Sequence, residues 1–477
     1  MLPNQFIDEI YQAGGRIYSV GGSVRETIRK KHKQVLAHID EPYDYDYVVA
    51  LLPLTIIAEI ANKYGTTTQC GECFGIIKFT FEYKDKKLTV DLALPRREAS
   101  TGDKHTEFEV VLDPNIPIEE DLKRRDFTIN AIAQDIKTGQ IIDPYGGETD
   151  IECMVVKLVS PTAFQEDPLR MLRACQFAAR LGYSIDPPTF GAMRKHHRLI
   201  ATVSPERINL ELSKLLVLAE HPSIGLEFVR LSGMLRIIIP ELAATDNILQ
   251  RGDNHKFDVY HHLLVATDYA HGNLILCWAA LLHDIGKPVV REEREDRDYF
   301  IGHEQVSAAL AYKILKRLKY PNDFIKQVVH LVQQHMFSYT YTPASTRRFI
   351  KRIGINNIDQ LFTLRKADRY GQGRVPVSTG LAWFYKKIQE EIHRKPPLQI
   401  KDLSISGTDL ITAYDLKPGP LIGKILTHLF EKTMDTPNFN NKEQLLLMAK
   451  EYLDARSNTA SMEDPSKLTT STKDTVR

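Results

Sequence analysis

Carboxylates with a spacing suited to metal binding lie in two β-rich runs near the start of the chain. Asp44 and Asp46 are separated by one residue in run 43–49, and Asp91 lies in run 88–92. Residues i and i+2 of a strand project from the same face, so Asp44 and Asp46 should converge. Converging carboxylates repel each other unless a cation lies between them, and oxygen ligands suit Mg²⁺ bound together with substrate phosphates. The pattern indicates a site for phosphoryl or nucleotidyl transfer.

A glycine pair close to these aspartates favours the same chemistry. The Asp-x-Asp pattern alone is also common on solvated strand edges and in turns. Gly21 and Gly22, however, follow the strand-like run 16–20 and open a helical run that begins at Val24. Such a turn presents backbone N–H groups to a phosphate at a helix start, although an ordinary tight turn is the alternative.

The composition is that of an ordinary globular protein. The chain has 477 residues, 43% hydrophobic and 26% charged residues, and a net charge of +1. The length predicts roughly three domains, and the charge is unusual for a protein that coats nucleic acid without discrimination. No apolar run approaches about 18 residues and no signal-peptide core is present, so we expect a cytoplasmic protein outside the membrane. Five cysteines argue against a disulfide framework, and Cys70 and Cys73 lack a second pair for zinc.

Residue periodicity predicts an α+β fold class. Short β-rich runs such as 75–81 alternate with helices up to a turn at 143–147, after which the chain reads as all-α. Apolar residues recur at helical spacing in four later runs, 168–181, 204–218, 257–270 and 274–282. Ser, Thr, Asp and Lys dominate from 456 to 477, which predicts a disordered tail because such a segment buries little apolar area.

Two further clusters combine arginine with aspartate. Arg125 and Asp126 precede an apolar helical run, where arginine can hold a triphosphate and aspartate can accept from a ribose hydroxyl. A surface charge cluster with Asp126 as a helix cap is an equal alternative. Asp167 and Arg170 lie three residues apart at a helix start, with Pro168 between them. Their acceptors and donors, side by side, complement cytosine and adenine but not uracil or guanine, which predicts selection of C and A without a template.

These motifs, in this order, resemble those of bacterial class II tRNA nucleotidyltransferases, the CCA-adding enzymes. The resemblance is carried by residues 21–26, 44–46, 124–131 and 166–173, and residues 204–211 are similar to the family's later neck motif. It implies a polymerase-β-like head in a mixed sheet with helices, Mg²⁺ on Asp44 and Asp46, and a helical neck that selects CTP and ATP for the tRNA acceptor end. Asp91 is expected to join the two metal aspartates in catalysis. The implied nucleotide contacts are Gly21, Gly22, Arg25, Arg125, Asp126, Asn130, Asp167, Arg170 and Arg173.

The chain departs from the family pattern at two positions and leaves the product open. Glu26 stands where aspartate is usual, which keeps the charge, and Tyr45 replaces a small aliphatic residue between the metal aspartates. Addition of the full CCA end is the expected activity, yet enzymes that add only A, only CC or poly(A) share almost the same motifs. An alternative of another class is a metal-dependent phosphohydrolase whose head only binds RNA, and a third is a non-catalytic RNA-binding protein.

A second set of metal-ligand side chains lies in the helical part. Imidazoles and carboxylates together suit a transition metal or Mg²⁺ that activates water for phosphoester hydrolysis, although any one histidine alone is more often an ordinary surface or core residue. The set resembles the HD phosphohydrolase superfamily, and thus the multifunctional CCA enzymes linked to 2′,3′-cyclic phosphodiesterase, 2′-nucleotidase and phosphatase activities. The implied ligands of a divalent metal such as Ni²⁺, Mn²⁺ or Mg²⁺ are His262, His283, Asp284 and Asp368, with His303 and His335 able to complete a second metal.

The resemblance and the periodicity together predict five segments. They are a nucleotidyltransferase head at 1–150, a helical neck at 151–245, an HD domain at 246–395, a C-terminal helical segment at 396–455 and the tail at 456–477. Lys and Arg of the helical part are expected to contact the acceptor-stem backbone by its shape. The sequence does not distinguish a monomer from a homodimer.

Overall fold

The computed structural model describes residues 2–32, 45–69, 75–100, 108–251, 256–339 and 341–462. The chain forms two compact units. The first comprises Met1–Gln333 and Tyr370–Gly373, and the second comprises Gln334–Arg369 and Arg374–Arg477. The five predicted segments stay a prediction, and the two units are described separately below.

The described residues include thirteen strands, most of them in the first 150 residues. Their bounds are β1 Arg16–Val20, β2 Asp46–Ala50, β3 Thr66–Gln69, β4 Ile76–Tyr83, β5 Lys86–Ala93, β6 Arg96–Ser100, β7 Phe108–Leu112, β8 Ala133–Asp135, β9 Ile141–Ile142, β10 Val155–Val156, β11 Ser184–Ile185, β12 Glu292–Glu293 and β13 Asp298–Tyr299.

Twenty-three α-helices are described, and they dominate after residue 147. Their bounds are α1 Asn4–Gln12, α2 Gly22–Lys31, α3 Leu54–Ala61, α4 Ile118–Lys123, α5 Gly147–Glu152, α6 Ala163–Glu166, α7 Leu169–Leu181, α8 Pro187–His196, α9 Pro205–Leu218, α10 Pro222–Ser232, α11 Leu235–Ile238, α12 Pro240–Ala243, α13 Val259–Tyr269, α14 Leu274–Leu282, α15 Lys287–Val290, α16 His303–Arg317, α17 Asn322–Gln334, α18 Pro343–Ile353, α19 Ile358–Gly371, α20 Thr379–His393, α21 Gly407–Tyr414, α22 Pro420–Asp435 and α23 Lys442–Met462.

A seven-stranded mixed sheet forms the centre of the head. Its strand order is β3-β4-β5-β2-β1-β8-β9, and β2 pairs with β5 in parallel while the other pairs are antiparallel. Side chains alternate along β4, so Ile77, Phe79 and Phe81 enter the core. The Phe79 ring contacts the Phe6 ring of α1 at 5.0 Å between centroids, which anchors a helix on this face of the sheet.

The neck is built around α7, a helix that is buried on almost every side. Gly225 allows α10 to pack closely on it, because a Cβ at that position would lie 2.9 Å from the Cys175 carbonyl oxygen. The predicted all-α character has one exception here, the two-residue parallel pair of β10 and β11. β10 follows Met154, whose positive φ of 57° ends α5 in a turn, and its two valines favour extended backbone.

The second unit is helical and has its own core. Leu410, Leu429 and Phe430 belong to a buried cluster formed by α21, α22 and α23. Arg347 of α18 is buried, pairs with Glu391 at 2.8 Å, and donates to the carbonyl oxygens of Met434 and Asp435 at the end of α22. The arginine therefore satisfies carbonyl groups that the end of a helix leaves without partners.

The α+β fold class predicted from the sequence is confirmed. The structure corrects the start of the predicted tail, because α23 continues through Met462 rather than ending near 455. No glycine or proline interrupts 442–462, and Ala455 and Ala460 are good helix formers. Residues 463–477 lie outside the described residues. No helix in the described part of the chain is both long and apolar enough to cross a membrane.

Candidate active site and candidate metal centre

Two of the three predicted catalytic aspartates lie next to each other in the head sheet. Asp46 begins β2 and is paired in parallel register with Asp91 of β5, and Lys78 of β4 is paired with Asp91 on its other side. Directly paired residues project from the same face of a sheet, so the three side chains form a row. The Lys78 Nζ lies 3.6 Å from the Asp91 Oδ1, and both side chains are partly exposed. Accessible carboxylates of this kind fit Mg²⁺. Asp44 lies outside the described residues.

The glycine turn lies at the same end of the sheet. β1 and β2 are antiparallel with Ser19 opposite Tyr47, so the end of β1 lies beside the beginning of β2. Gly21 follows β1 with a φ of 66° and precedes α2, whose first turn carries no acidic residue. A Cβ at Gly21 would lie 3.0 Å from the Arg125 Nη1. The helix N-terminus and this guanidinium therefore present positive charge at one place, as an anion site requires.

Asp121 holds the arginine pair that follows α4. Its side chain is fully buried and accepts from Arg124 Nε at 3.0 Å, Arg124 Nη2 at 2.9 Å and Arg125 Nη2 at 3.4 Å. Charge-assisted contacts of this kind fix the planes of the guanidinium groups. Arg125 is therefore held between a buried carboxylate and the glycine turn.

Asp126 links the head to the neck. Its Oδ1 accepts from Asn130 Nδ2 at 3.0 Å and Phe127 N at 2.8 Å, and its Oδ2 accepts from Arg173 Nε at 2.8 Å and lies 2.7 Å from Arg173 Nη2. Arg25 Nη1 donates to Asn130 Oδ1 at 2.5 Å. Burial alone would raise the pKa of Asp126, but Arg173 and Asn130 hold that pKa below its usual value.

The predicted contact between Asp126 and a ribose hydroxyl has no unused acceptor in this structure. Each carboxylate oxygen already has two donor contacts. A ribose hydroxyl would therefore have to replace one of them. The nucleotide-binding roles of Gly21, Gly22, Arg25, Arg125, Asp126, Asn130 and Arg173 stay predictions. The structure links the head residues Arg25, Asn130 and Asp126 to Arg173 of the neck.

Asp167 and Arg170 have separate hydrogen-bond partners in the structure, and their predicted role in base selection stays a prediction. The buried Arg170 donates from Nη1 to Glu166 Oε2 at 2.9 Å and from Nη2 to the Arg124 carbonyl oxygen at 2.7 Å. Asp167 instead accepts from Leu169 N at 3.1 Å through Oδ1 and from Arg207 Nη2 at 2.7 Å through Oδ2. Helical spacing alone could not reveal these tertiary partners, although Arg207 lies in the run 204–211 that the sequence marked.

Four of the six predicted ligands of the HD site lie in the first unit and converge there. His262 Nε2 and His283 Nε2 are 3.0 Å apart, and Asp284 Oδ2 is 3.3 Å from the first and 3.4 Å from the second. Asp284 Oδ1 lies 3.0 Å from His303 Nε2. All four side chains are buried.

Backbone carbonyls orient two of these imidazoles for metal binding. His283 Nδ1 is 2.8 Å from the Ala280 carbonyl oxygen, and His303 Nδ1 is 2.7 Å from the Phe300 carbonyl oxygen. Since a carbonyl only accepts, each Nδ1 carries a hydrogen. The Nε2 atoms of both rings therefore face the Asp284 carboxylate, as the donor atoms of a metal site would.

Lys287 is a member of this cluster that the sequence analysis did not single out. Its buried ammonium lies 2.6 Å from Asp284 Oδ2 and donates to Gln250 Oε1 at 2.5 Å. Burial would raise the pKa of Asp284, but Lys287, His283 and His303 hold it well below its usual range. The sequence signal for Lys287 was its position at a helix start, three residues after Asp284.

The remaining two predicted ligands belong to the second unit. His335 and Asp368 are both buried, and Arg365 Nη1 donates to Asp368 Oδ2 at 2.8 Å. Their part in metal binding stays a prediction.

Three family models match consecutive parts of the chain. Residues 17–157 match the poly A polymerase head domain, residues 182–245 match a probable RNA and SrmB-binding site of polymerase A, and residues 299–449 match a putative tRNA nucleotidyltransferase domain 2.

Several characterised proteins are similar to the chain. An A-adding tRNA nucleotidyltransferase of Deinococcus radiodurans is 35% identical over 344 residues, which cover 68% of this chain and 76% of that protein. A multifunctional CCA protein of Xanthomonas campestris pv. campestris is 39% identical over 332 residues, which cover 67% of this chain and 75% of that protein.

Solved structures share the fold over nearly the whole length. The Bacillus stearothermophilus CCA-adding enzyme in complex with CTP superposes with a TM-score of 0.68 at 22% identity, covering 95% of this chain and 97% of that one. The Thermotoga maritima CCA-adding enzyme complexed with tRNA-CCA superposes with a TM-score of 0.52 at 18% identity, and the match covers 94% of this chain and 93% of that one. With the identities to the Deinococcus and Xanthomonas proteins, these likenesses show that the chain belongs to the bacterial CCA-adding tRNA nucleotidyltransferase family.

Proposed function

We propose that this protein adds C, C and A to the tRNA 3′ end from CTP and ATP without a nucleic-acid template. The observation that carries the proposal is the assembly of Asp46, Asp91, the Gly21 turn and Arg125 at one end of the head sheet. The multifunctional CCA protein among the relatives supports full addition. The expected partners are the tRNA acceptor end, CTP and ATP, and the expected compartment is the cytoplasm.

The residues of the head divide the work of the transfer reaction. Asp46 and Asp91, with Asp44, would hold Mg²⁺, which would supply positive charge to the phosphates when bound. In the reaction, the tRNA 3′-hydroxyl would lose its proton and attack the α-phosphate as pyrophosphate leaves. The first turn of α2 and Arg125 bind the triphosphate through N–H donors and positive charge. Hydrogen bonds connect four side chains beside the site and hold them in one arrangement before a nucleotide binds. They are Arg25, Asn130, Asp126 and Arg173.

A specific observation favours a second candidate, addition of the terminal A alone. The Deinococcus relative is named an A-adding enzyme, and its identity to this chain is close to that of the CCA protein. The two candidates separate in one assay, in which the purified protein receives tRNA ending before CCA, after C or after CC. CTP and ATP are supplied singly and together, and product length is read on a gel.

We expect CTP alone to extend the shortest tRNA by two nucleotides, and both nucleotides together to extend it by three. If the protein extends only the CC-ended tRNA, and only with ATP, the A-adding candidate is correct. Asp46→Ala should abolish every extension because it removes a metal carboxylate. Glu59→Ala, an exposed carboxylate of α3 in the same head, is the matched control and should retain activity.

The buried cluster of the first unit supports a second activity, metal-dependent hydrolysis of phosphoesters. His262, His283 and Asp284 offer three converging donor atoms, and His303 offers a fourth. A divalent metal held there would activate water. The expected substrate is a tRNA 3′ end bearing a 2′,3′-cyclic phosphate, since removal of that phosphate restores the hydroxyl that the transferase needs.

The two activities should be lost in different variants. His283→Ala should abolish hydrolysis of a cyclic phosphate in the presence of Ni²⁺, Mn²⁺ or Mg²⁺, and should leave nucleotide incorporation intact. Asp46→Ala should do the reverse. His271→Ala is the control, since His271 is an exposed histidine beyond α13. Hydrolysis that survives His283→Ala would contradict the second activity without affecting the first.

A further inference from the structure

We infer that Phe177 of α7 is a positioning residue for nucleotide binding in the transferase reaction, an inference that rests on the proposed function. Its ring is almost fully buried, with 7% of the residue exposed. The Cζ of Arg25 lies over this ring at 5.2 Å from the centroid, and the Cζ of Arg173 lies over it at 5.3 Å. Phe127 meets the same ring edge-on at 5.8 Å and 80°.

These contacts close a circuit of five side chains. Arg25 donates to Asn130, Asn130 donates to Asp126, and Asp126 accepts from Arg173. Phe177 completes the circuit, because it is the one member in contact with both arginines at their guanidinium groups. Arg173 and Phe177 are four residues apart on α7, so they are neighbours on one face of the helix.

The circuit joins the head to the neck. Arg25 lies on α2, which starts at the glycine turn, and Asn130 belongs to the short 3₁₀ helix Thr128–Asn130. Arg173 and Phe177 belong to the neck helix that follows the Asp167 run. The Phe177 ring therefore contacts one guanidinium of the head, that of Arg25, and one of the neck, that of Arg173.

An aromatic ring suits this position for an electrostatic reason. The face of the ring carries partial negative charge and attracts cations, and the attraction is larger where water is excluded. Arg25 is buried, and burial lowers the pKa of its guanidinium by disfavouring the charge. Arg25 is already paired with Glu26, and Arg173 with Asp126 and Glu211. The ring adds a favourable contact to each guanidinium without adding a further full negative charge to these carboxylates. An aliphatic side chain of similar size would fill the space but would supply no such attraction.

The circuit supports groups expected to contact the triphosphate and ribose, which CTP and ATP share. Loss of the ring should therefore weaken binding of the two nucleotides by the same factor. A residue that read the base would affect CTP and ATP unequally. This equality distinguishes a positioning role at the shared part of the nucleotide from a role in base selection.

The test measures incorporation kinetics of the full-length protein with CC-ended tRNA and ATP, and with tRNA ending before CCA and CTP. Phe177→Leu should raise the KM of both nucleotides by about tenfold, with kcat nearly unchanged. This is the effect of losing two cation–π contacts, one to the buried Arg25 and one to the partly exposed Arg173. Phe177→Tyr keeps the ring face and should restore a KM close to wild type. Phe190→Leu is the matched control, because the Phe190 ring contacts Phe228 elsewhere in the neck.

Two results would overturn the inference. The first is an unchanged KM in Phe177→Leu, and a fall in kcat with a lower thermal midpoint at that unchanged KM would indicate a purely structural role. The second is a change in KM for only one of the two nucleotides. If Phe177→Leu does not fold, Phe177→Met carries the same expectation and the same refutation. A wild-type protein that incorporates no nucleotide would instead refute the proposed function.

Discussion

Single carboxylates in the first unit each hold more than one basic side chain or amide. Asp121 holds Arg124 and Arg125, and Asp126 holds Arg173 together with Asn130. Because the donor side chains are already held in place, less of their conformational entropy is lost when a triphosphate binds. The residues that would bind the nucleotide are thus oriented by the protein itself.

The low pKa of Asp126 gives a pH-dependent prediction. Asp126→Asn should lower the free energy of unfolding of the first unit at neutral pH by about 3 kcal/mol, since it breaks a buried charged contact. The folded-state pKa lies below the unfolded value, so the contribution is complete above about pH 4 and is lost as pH falls through the folded pKa. The difference between wild type and variant, measured by denaturant unfolding, should therefore shrink only in acid. A difference that stays constant down to the lowest pH at which the protein folds would contradict this assignment.

At the residue scale, the sequence could indicate neighbouring side chains where chemistry and spacing were local, while their roles stay predictions. The adjacent His283 and Asp284 can be read directly from neighbouring positions. The partners of Asp167 and Arg170 could not be predicted, since Arg207 and the Arg124 carbonyl oxygen reach them from other elements. Lys287 was missed because a lysine after a His-Asp pair reads as a surface residue until its burial is known.

At the scale of elements, the turn between β1 and α2 combines a special backbone with close packing. Gly21 has a positive φ, and the space beside it is taken by Arg125. The backbone conformation of the turn therefore disfavours a side chain, and a Cβ there would also crowd the Arg125 guanidinium.

Gly21→Ala should raise the KM for both nucleotides by about tenfold or more, since the new Cβ would displace Arg125 from the start of α2. Gly139→Ala is a close control, because Gly139 has a φ of 72° and a Cβ added there would meet nothing within 4 Å. Both variants should lose about 1 kcal/mol of stability from backbone strain. Only Gly21→Ala should lose nucleotide affinity, and equal KM values in the two variants would show that Arg125 does not depend on this turn.

Long periodic elements were predictable, whereas the shortest ones were not. Helix 274–282 has the bounds that its apolar run predicts, and helix 204–218 differs by one residue at its start. The two-residue strands β10 and β11 carry no periodicity, since their pairing depends on residues almost thirty positions apart. The parallel position of β5 beside β2 likewise depends on topology that no single run reveals.

At the scale of the whole molecule, the first unit contains both the sheet carboxylates and the four buried side chains that are predicted to bind a second metal. The first group is partly exposed and the second is buried, which suits a nucleotide-bound Mg²⁺ in one case and a resident metal in the other. The two sites therefore should differ in how strongly metal binding is linked to stability.

Metal binding at the buried cluster predicts a thermal shift. In an Asp46→Ala background, which removes the head contribution, Ni²⁺ or Mn²⁺ at about 100 times its Kd should stabilise the fold by about 2.7 kcal/mol. The thermal midpoint of metal-stripped protein should rise accordingly on addition of metal. Adding His283→Ala should abolish the rise, while adding His271→Ala should preserve it. A rise that persists without His283 would place the metal elsewhere.

The single parallel pairing of the head sheet has a consequence for synthesis of the chain. Asp46 and Asp91 become neighbours only when β5 enters between β2 and β4, and β8 must then join the free side of β1. A growing polypeptide that has not yet supplied residue 91 lacks the pairing of Asp46 with Asp91 that the folded sheet provides. Acquisition of triphosphate affinity would therefore mark the moment at which a nascent head has closed its sheet.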